Sequence, residues 1–409
     1  MHNLGVIAGL AGPGVGIHPV VKANAYGHGA LEIAAALEDA GVAGLCVATA
    51  DEALELRAGG IRGPILVLYP VPPAVAVELA RRRIAVTAGD PGLLAGLAAA
   101  LAQGASGASG ASRSGRARLR VHLEVETGLG RGGFRGPDLV AAADLVRSDP
   151  ELRLAGLWTH LQAAEDRART AAQLERFGAA SAALRHGGRR LPARHLAASG
   201  GLLLGDVAAL DGVRPGLAIY GLVPDELLGL ETPPAGSEAA TAMAALRPVM
   251  SLHARPVRVA ELPAGWGIGY GPSFVTARAS RVATLPLGYG DGWPRSLSNR
   301  ASALVRGQRV PLVGNVAMDA VMADVTDVPE PPITPADEFV LLGRQDADEI
   351  TAADLARSRS TNSWEVVTAM AARLPRVYHA PSGGLGLRTL VSASRPIGHR
   401  ATRRRTNRP

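Results

Sequence analysis

From residue 18 to about 216 the chain alternates short apolar, β-branched runs with Ala- and Leu-rich segments, and this alternation restricts the possible folds most. Eight runs read as strands: PVVKA, GLCVA, ILVLY, AVTA, VHLEVE, GLWTH, RHLAA and GVRPG. Between them lie helical patterns such as LEIAAALEDAG, DEALELRAGG and RTAAQLERFGAASAALR. Eight strand–helix units in this span predict a closed parallel sheet, a (β/α)8 TIM barrel, rather than an open one. No G-x-G-x-x-G follows the first strand, which speaks against a dinucleotide fold.

The pattern changes beyond the barrel. Residues 1–222 are assigned to the barrel domain and 223–243, containing ETPPAGSEAAT, read as a linker. Residues 244–391 hold short alternating runs punctuated by Gly and Pro: SLHARPVRVAEL, SRVATLPLG, ASALVRG, RVPLVGNVAM and EFVLLG. They predict a mostly β C-terminal domain closed by a helix around WEVVTAMAARL, so the fold class is α/β with a β-rich second domain. GASGASGASRSGR, residues 104–116, reads as a flexible surface insertion between the fourth helix and the fifth strand.

The formal charge of +7 invites a nucleic-acid reading. Six arginines and no acid fall in the last fifteen residues, so the body is close to neutral. Residues 392–409 read as a solvated, disordered tail, with no aromatic residue between the arginines for base stacking. No apolar run reaches spanning length and the opening lacks a basic n-region, so neither a membrane span nor a signal peptide is expected. A single cysteine, Cys46, excludes an internal disulfide and fits a cytoplasmic setting.

Lys22 is the one lysine in 409 residues, against 42 arginines. Either cation serves on a solvated surface, but only lysine can shed its proton and act as a base, a nucleophile or a Schiff-base former. Barrels of this kind gather functional groups where strands end, at the C-terminal face. Lys22 is read as ending strand one, with Tyr26 one turn on; Arg131 follows strand five and His160 ends strand six. His195 and Ser199 flank the end of strand seven, and Arg214 and Gly216 close strand eight. One lysine, an anion pocket and an imidazole for stacking, all at a barrel mouth, match the needs of pyridoxal 5'-phosphate chemistry.

VVKANAYGHGA closely resembles the cofactor-binding signature of the alanine racemase family. ETGLGRGGF, GLWTHLQAAED, RHLAASG, VRPGLAIYGL, GIGYGPSF, PLGYGDGWPRSL, GNVAMDAV and RLPRVY resemble further blocks of that family, in its order, to about residue 391. The resemblance implies a homodimeric enzyme with shared active sites that interconverts L- and D-alanine for peptidoglycan. Lys22 would carry the cofactor and act as one base; Tyr270, from the partner subunit, would be the other. Two bases on opposite faces of a planar carbanion serve both directions of inversion.

The resemblance assigns further roles. Arg214 would face the pyridine nitrogen, with His195 orienting it, and His160 would stack on the ring. Tyr26, Ser199, the backbone of Gly216 and Leu217, and Trp364 fall at phosphate contacts. Arg131 and the N–H of Met318, next to Asp319, would hold the substrate carboxylate. Tyr289 and Arg295 would line the entrance channel, and no metal is called for. Broad-specificity racemases and a non-catalytic cofactor-binding protein remain alternative readings, and related barrel decarboxylases fit the lysine block less well.

Four positions depart from the family pattern. Glu124 stands where many relatives carry a carbamylated lysine and offers the same negative charge to Arg131 on a shorter arm. Ala198 replaces an asparagine, and Trp364 a tyrosine. Family members also carry a further N-terminal stretch with a strand of the β domain, so either the start is misassigned or that strand is missing.

Overall fold

The computed structural model describes residues 1–106, 117–185, 190–205, 207, 209–228, 236–379 and 385–389. Its first half is a ring of eight parallel strands. They are β1 (Gly16–Ile17), β2 (Leu45–Val47), β3 (Ile65–Val67), β4 (Ile84–Ala88), β5 (Leu119–Glu124), β6 (Leu152–Trp158), β7 (Ala193–His195) and β8 (Gly212–Val213). They pair in the order β1-β8-β7-β6-β5-β4-β3-β2. Backbone bonds from Ala43 N to the Ile17 carbonyl (2.9 Å) and from Cys46 N to the Pro19 carbonyl (2.8 Å) join β1 to β2, so no sheet edge is left.

Helices Ala30–Asp39, Ala50–Ala58, Pro91–Ser106, Gly136–Ser148 and Arg167–Arg185 cover the outside of the ring. Ala50–Ala58 starts at a reciprocal cap in which Thr49 accepts from Glu52 N while the Glu52 carboxylate accepts from Thr49 N. All five residues of β4 are buried, as a strand covered on both faces requires.

The sequence reading places the first strand at residues 19–23, and here the structure differs. The paired residues are Gly16 and Ile17, Val20 makes only an isolated bridge to Cys46, and Lys22 already lies beyond the strand. The chain must leave the ring at this point to present Lys22 at the mouth. The stretch read as a linker also carries structure, a helix at Glu238–Ala245 capped by Ser237. That helix packs on the N-terminal helix His2–Ala11, where Asn3 donates to the Arg247 carbonyl at 2.8 Å. The first residues of the 104–116 segment complete helix Pro91–Ser106; most of that segment, and the basic tail, lie outside the described residues.

The second half is an antiparallel sheet of short strands, in which the first strand in chain order pairs with the seventh and the remaining seven form one continuous path. The strands are β9 (Leu252–Ala254), β10 (Arg258–Leu262), β11 (Ser280–Leu285), β12 (Ser302–Val305), β13 (Gln308–Val313), β14 (Val321–Asp324), β15 (Phe339–Gln345) and β16 (Asp348–Ile350). The expected closing helix runs Ser363–Thr368 and stops before residue 374. Another, Ala352–Arg359, precedes it. Arg376 holds the two domains together through donations to the carbonyls of Gly27 (2.8 Å) and Met370 (3.0 Å). Among the described residues no helix is long and apolar enough to cross a membrane.

Candidate active site

Lys22 opens a left-handed turn. Ala23, Asn24, Ala25 and Tyr26 all have φ between 51° and 55°, a conformation that L residues avoid at roughly 1–2 kcal/mol each. Hydrogen bonds hold the strained segment in place. Ala23 N donates to Glu52 Oε1 at 2.6 Å, Asn24 Oδ1 accepts from Ala30 N at 2.8 Å, and the Asn24 carbonyl accepts from Gly29 N at 2.9 Å. Several kcal/mol of backbone strain spent at one lysine mark a position whose direction matters.

Lys22 lines a cavity of about 270 Å³ at the C-terminal mouth. Tyr26, Arg131, His160, Ser199, Arg214, Gly216, Leu217 and Trp364 line it too. At one end Ser199 Oγ accepts from the N–H groups of Gly216 (2.9 Å) and Ala218 (3.2 Å). A Cβ at residue 216 would sit 2.7 Å from Tyr26 Oη, so glycine is needed for the tyrosine hydroxyl to approach this backbone. A hydroxyl, a phenol and a turn of backbone N–H groups in one corner suit an anion.

At the other end lies Arg214, buried beneath the cavity. Its Nη2 donates to the Thr159 carbonyl at 2.7 Å and its guanidinium lies 4.6 Å over the Trp158 ring. Burial pulls Arg214 down to about 10, which still leaves it charged at neutral pH. Arg214 Nη1 donates to His195 Nδ1. Arginine cannot accept, so His195 carries its proton on Nε2 and donates to His122 Nδ1 at 2.9 Å. The relay therefore has one polarity, from guanidinium through two neutral imidazoles. Burial, then the Arg214 charge, holds His160 at about 3, also neutral.

Arg131 bonds Glu124 Oε1 at 3.2 Å and lies over the Tyr69 ring at 5.2 Å. Burial raises the Glu124 carboxyl, and the Arg131 hydrogen bond and charge oppose that rise. The remaining sequence candidates lie elsewhere in the chain. Tyr270 is 79 % exposed on the C-terminal domain, and Met318 and Tyr289 are exposed there as well. Tyr270, Tyr289, Arg295, Met318 and Asp319 do not line the Lys22 cavity of their own chain. Arg373 ties the Tyr289 and Met318 loops together by ion pairs of 2.7 Å to Asp291 and to Asp319.

Sequence reasoning missed three supports. Tyr69 ends ILVLY and Trp158 lies in GLWTH, both at strand ends where the positional rule applies. His122 alternates with Glu124 on β5, a period-two signal for a second inward side chain.

This mouth sets one lysine beside a hydroxyl-and-backbone cradle, on a parallel barrel joined to an antiparallel second domain. The model of the alanine racemase N-terminal domain matches residues 1–224, and that of the C-terminal domain residues 249–378. An alanine racemase of Sorangium cellulosum is 39% identical over 93% of this chain and 96% of its own. One of Symbiobacterium thermophilum is 42% identical over 88% and 89%. The solved alanine racemase of Bacillus anthracis with bound L-Ala-P superposes with a TM-score of 0.82 at 29% identity, covering 95% of this chain and 94% of that one. That of Streptomyces coelicolor gives 0.76 at 36%, covering 92% and 94%. The chain belongs to the alanine racemase family.

Proposed function

We propose that the protein is a pyridoxal 5'-phosphate-dependent racemase that interconverts L- and D-alanine. The observation that carries this reading is the joint placement of Lys22, the Ser199–Gly216 cradle and charged Arg214 on one cavity. The residues present fit the cofactor. Ser199, Tyr26 and the backbone of Gly216 and Leu217 would hold its phosphate, His160 would lie against the ring, and Trp364 would close the rim. The cofactor supplies an electron sink that acidifies the substrate Cα–H.

The chain's own groups then decide the outcome. Arg214 keeps its proton and would face the pyridine nitrogen as a donor only, so that nitrogen would go without a proton and return of a proton to carbon would be favoured. Lys22 takes or returns that proton on one face. Tyr270 of a second copy of the chain serves the opposite face, and its exposure outside the cavity of its own chain supports such sharing. Arg131, anchored by Glu124, and the N–H of Met318 hold the substrate carboxylate. Tyr289, Arg295 and Asp319 shape the entrance. Lys22 and Tyr270 are thus the two bases of a homodimeric, cytoplasmic enzyme that supplies D-alanine for peptidoglycan.

D-alanine formation by wild type, Lys22→Ala and Tyr270→Phe, with borohydride fixation and mass mapping of peptide 20–30, tests the proposal. Cofactor fixed on Lys22, with turnover lost in both variants, is expected. Cofactor fixed without wild-type turnover identifies a binding protein instead, and serine or lysine turnover rivalling alanine identifies a broad racemase.

A further inference from the structure

The barrel has a second chamber at its opposite, N-terminal end, about 740 Å³ in volume. None of the residues holding Lys22 lines it, and its floor is the layer of His18, His122 and His195 inside the ring. The walls differ in character. On the β2–β3 side they are apolar, with Leu45, Pro64 and Leu66. On the β4–β7 side stand Arg83, Arg118, Arg120, Arg147, Arg153, Arg190 and Arg194.

Five of these seven guanidiniums have no ion pair among the described residues; Arg194 and Arg147 do. Asp211 is the one carboxylate lining the chamber among the described residues, and it pairs with Arg194 at 3.2 Å. Arg120 and Arg153 are register partners on adjacent parallel strands, and among the described residues neither has an ion pair. Arg83 and Arg190 likewise have none there. Arg147 Nη2 is buried with no hydrogen-bond partner, although its Nη1 lies 3.5 Å from Asp144. Like charges gathered in a concave, half-apolar pocket raise each other's energy, and a polyanion relieves it. Guanidinium forks match phosphate oxygens two at a time.

We propose that this chamber is a binding site for a nucleoside polyphosphate. The phosphates lie against Arg120 and Arg153 on the β4–β7 wall, and the flat base lies against Pro64 and Leu66. A single inorganic phosphate would engage two or three of the seven arginines and leave the apolar wall wet. The site is distinct from the cofactor cradle in place and in residues, so it stands or falls apart from the racemase reading.

Calorimetric titration of the holoenzyme, its upper pocket filled, compares ATP, inorganic tripolyphosphate and adenosine at low and moderate salt. ATP is expected to bind at least tenfold more tightly than tripolyphosphate and to weaken as salt rises. Arg120→Gln/Arg153→Gln is expected to lose at least tenfold in ATP affinity. Arg118→Gln/Arg190→Gln, outside the strands, gives the same reading if the first pair fails to fold. No ATP binding, affinity unchanged in the folded variants, or tripolyphosphate binding as tightly as ATP overturns the assignment.

Discussion

Acid is the perturbation to which this barrel is most exposed, because its interior is built on uncharged imidazoles. Burial holds His18 and His28 at about 4, and His122 and His160 at about 3, against an ordinary value of 6.5. His195 lies well below that value for the same reason, with the Arg214 charge adding to it. Each ring is harder to protonate folded than unfolded. Its contribution to stability is therefore complete above about 6.5 and drains away as pH falls toward the folded value. At pH 5 the unfolded chain holds these protons and the folded chain does not. Each such proton steepens the pH dependence of stability by about 1.4 kcal/mol per pH unit.

The five histidines acting together give a slope of up to about 7 kcal/mol per unit, which would exhaust the roughly 5–15 kcal/mol stability of an ordinary domain within about one to two units. Most carboxylates remain ionised in the upper part of that window, so the histidine signal is separable there. Urea midpoints from pH 7.5 to 5, with proton uptake on unfolding at pH 5, measure it. A midpoint that stays level between pH 6.5 and 5, or uptake near zero, refutes the argument that the buried rings are neutral.

Three substitutions probe other parts of the reasoning. Glu124→Gln removes the charge that anchors Arg131, a hydrogen bond to a charged group worth about 1.5–3 kcal/mol. Steady-state kinetics should show KM for alanine raised about tenfold or more with bicarbonate making no difference in wild type, and unchanged kinetics would contradict the anchoring role. Gly156→Ala would put a Cβ 2.0 Å from His122 Nδ1, so thermal unfolding should show a loss of about 1–3 kcal/mol from overpacking, and a wild-type melting curve would rule that contact out. Ser199→Ala leaves the Gly216 and Ala218 N–H groups without their acceptor, and equilibrium dialysis should show pyridoxal phosphate bound at least tenfold more weakly.

Much of the fold was legible because its signals are local. The strand–helix alternation located seven of the eight barrel strands to within a few residues, and the change to short alternating runs located the β domain. The first strand was misplaced because PVVKA has β-branched residues but must bend outward, and the contacts that stabilise its left-handed turn come from Glu52, Ala30 and Gly29. Helix Glu238–Ala245 hid behind a Pro- and Gly-containing approach and is stabilised by docking on His2–Ala11, a partner more than 200 residues away.

By itself the sequence determined which chemistry was available, since one lysine among 42 arginines and a set of strand-end polar residues exist before any folding. Only the tertiary structure decided how those groups behave. Burial keeps the histidines neutral, a donor-only guanidinium sets the direction of the relay through His195 to His122, and closure of the ring separates a lysine mouth from an arginine chamber. Desolvation and hydrogen-bond polarity depend on what surrounds a group in space, and no neighbour along the chain specifies them.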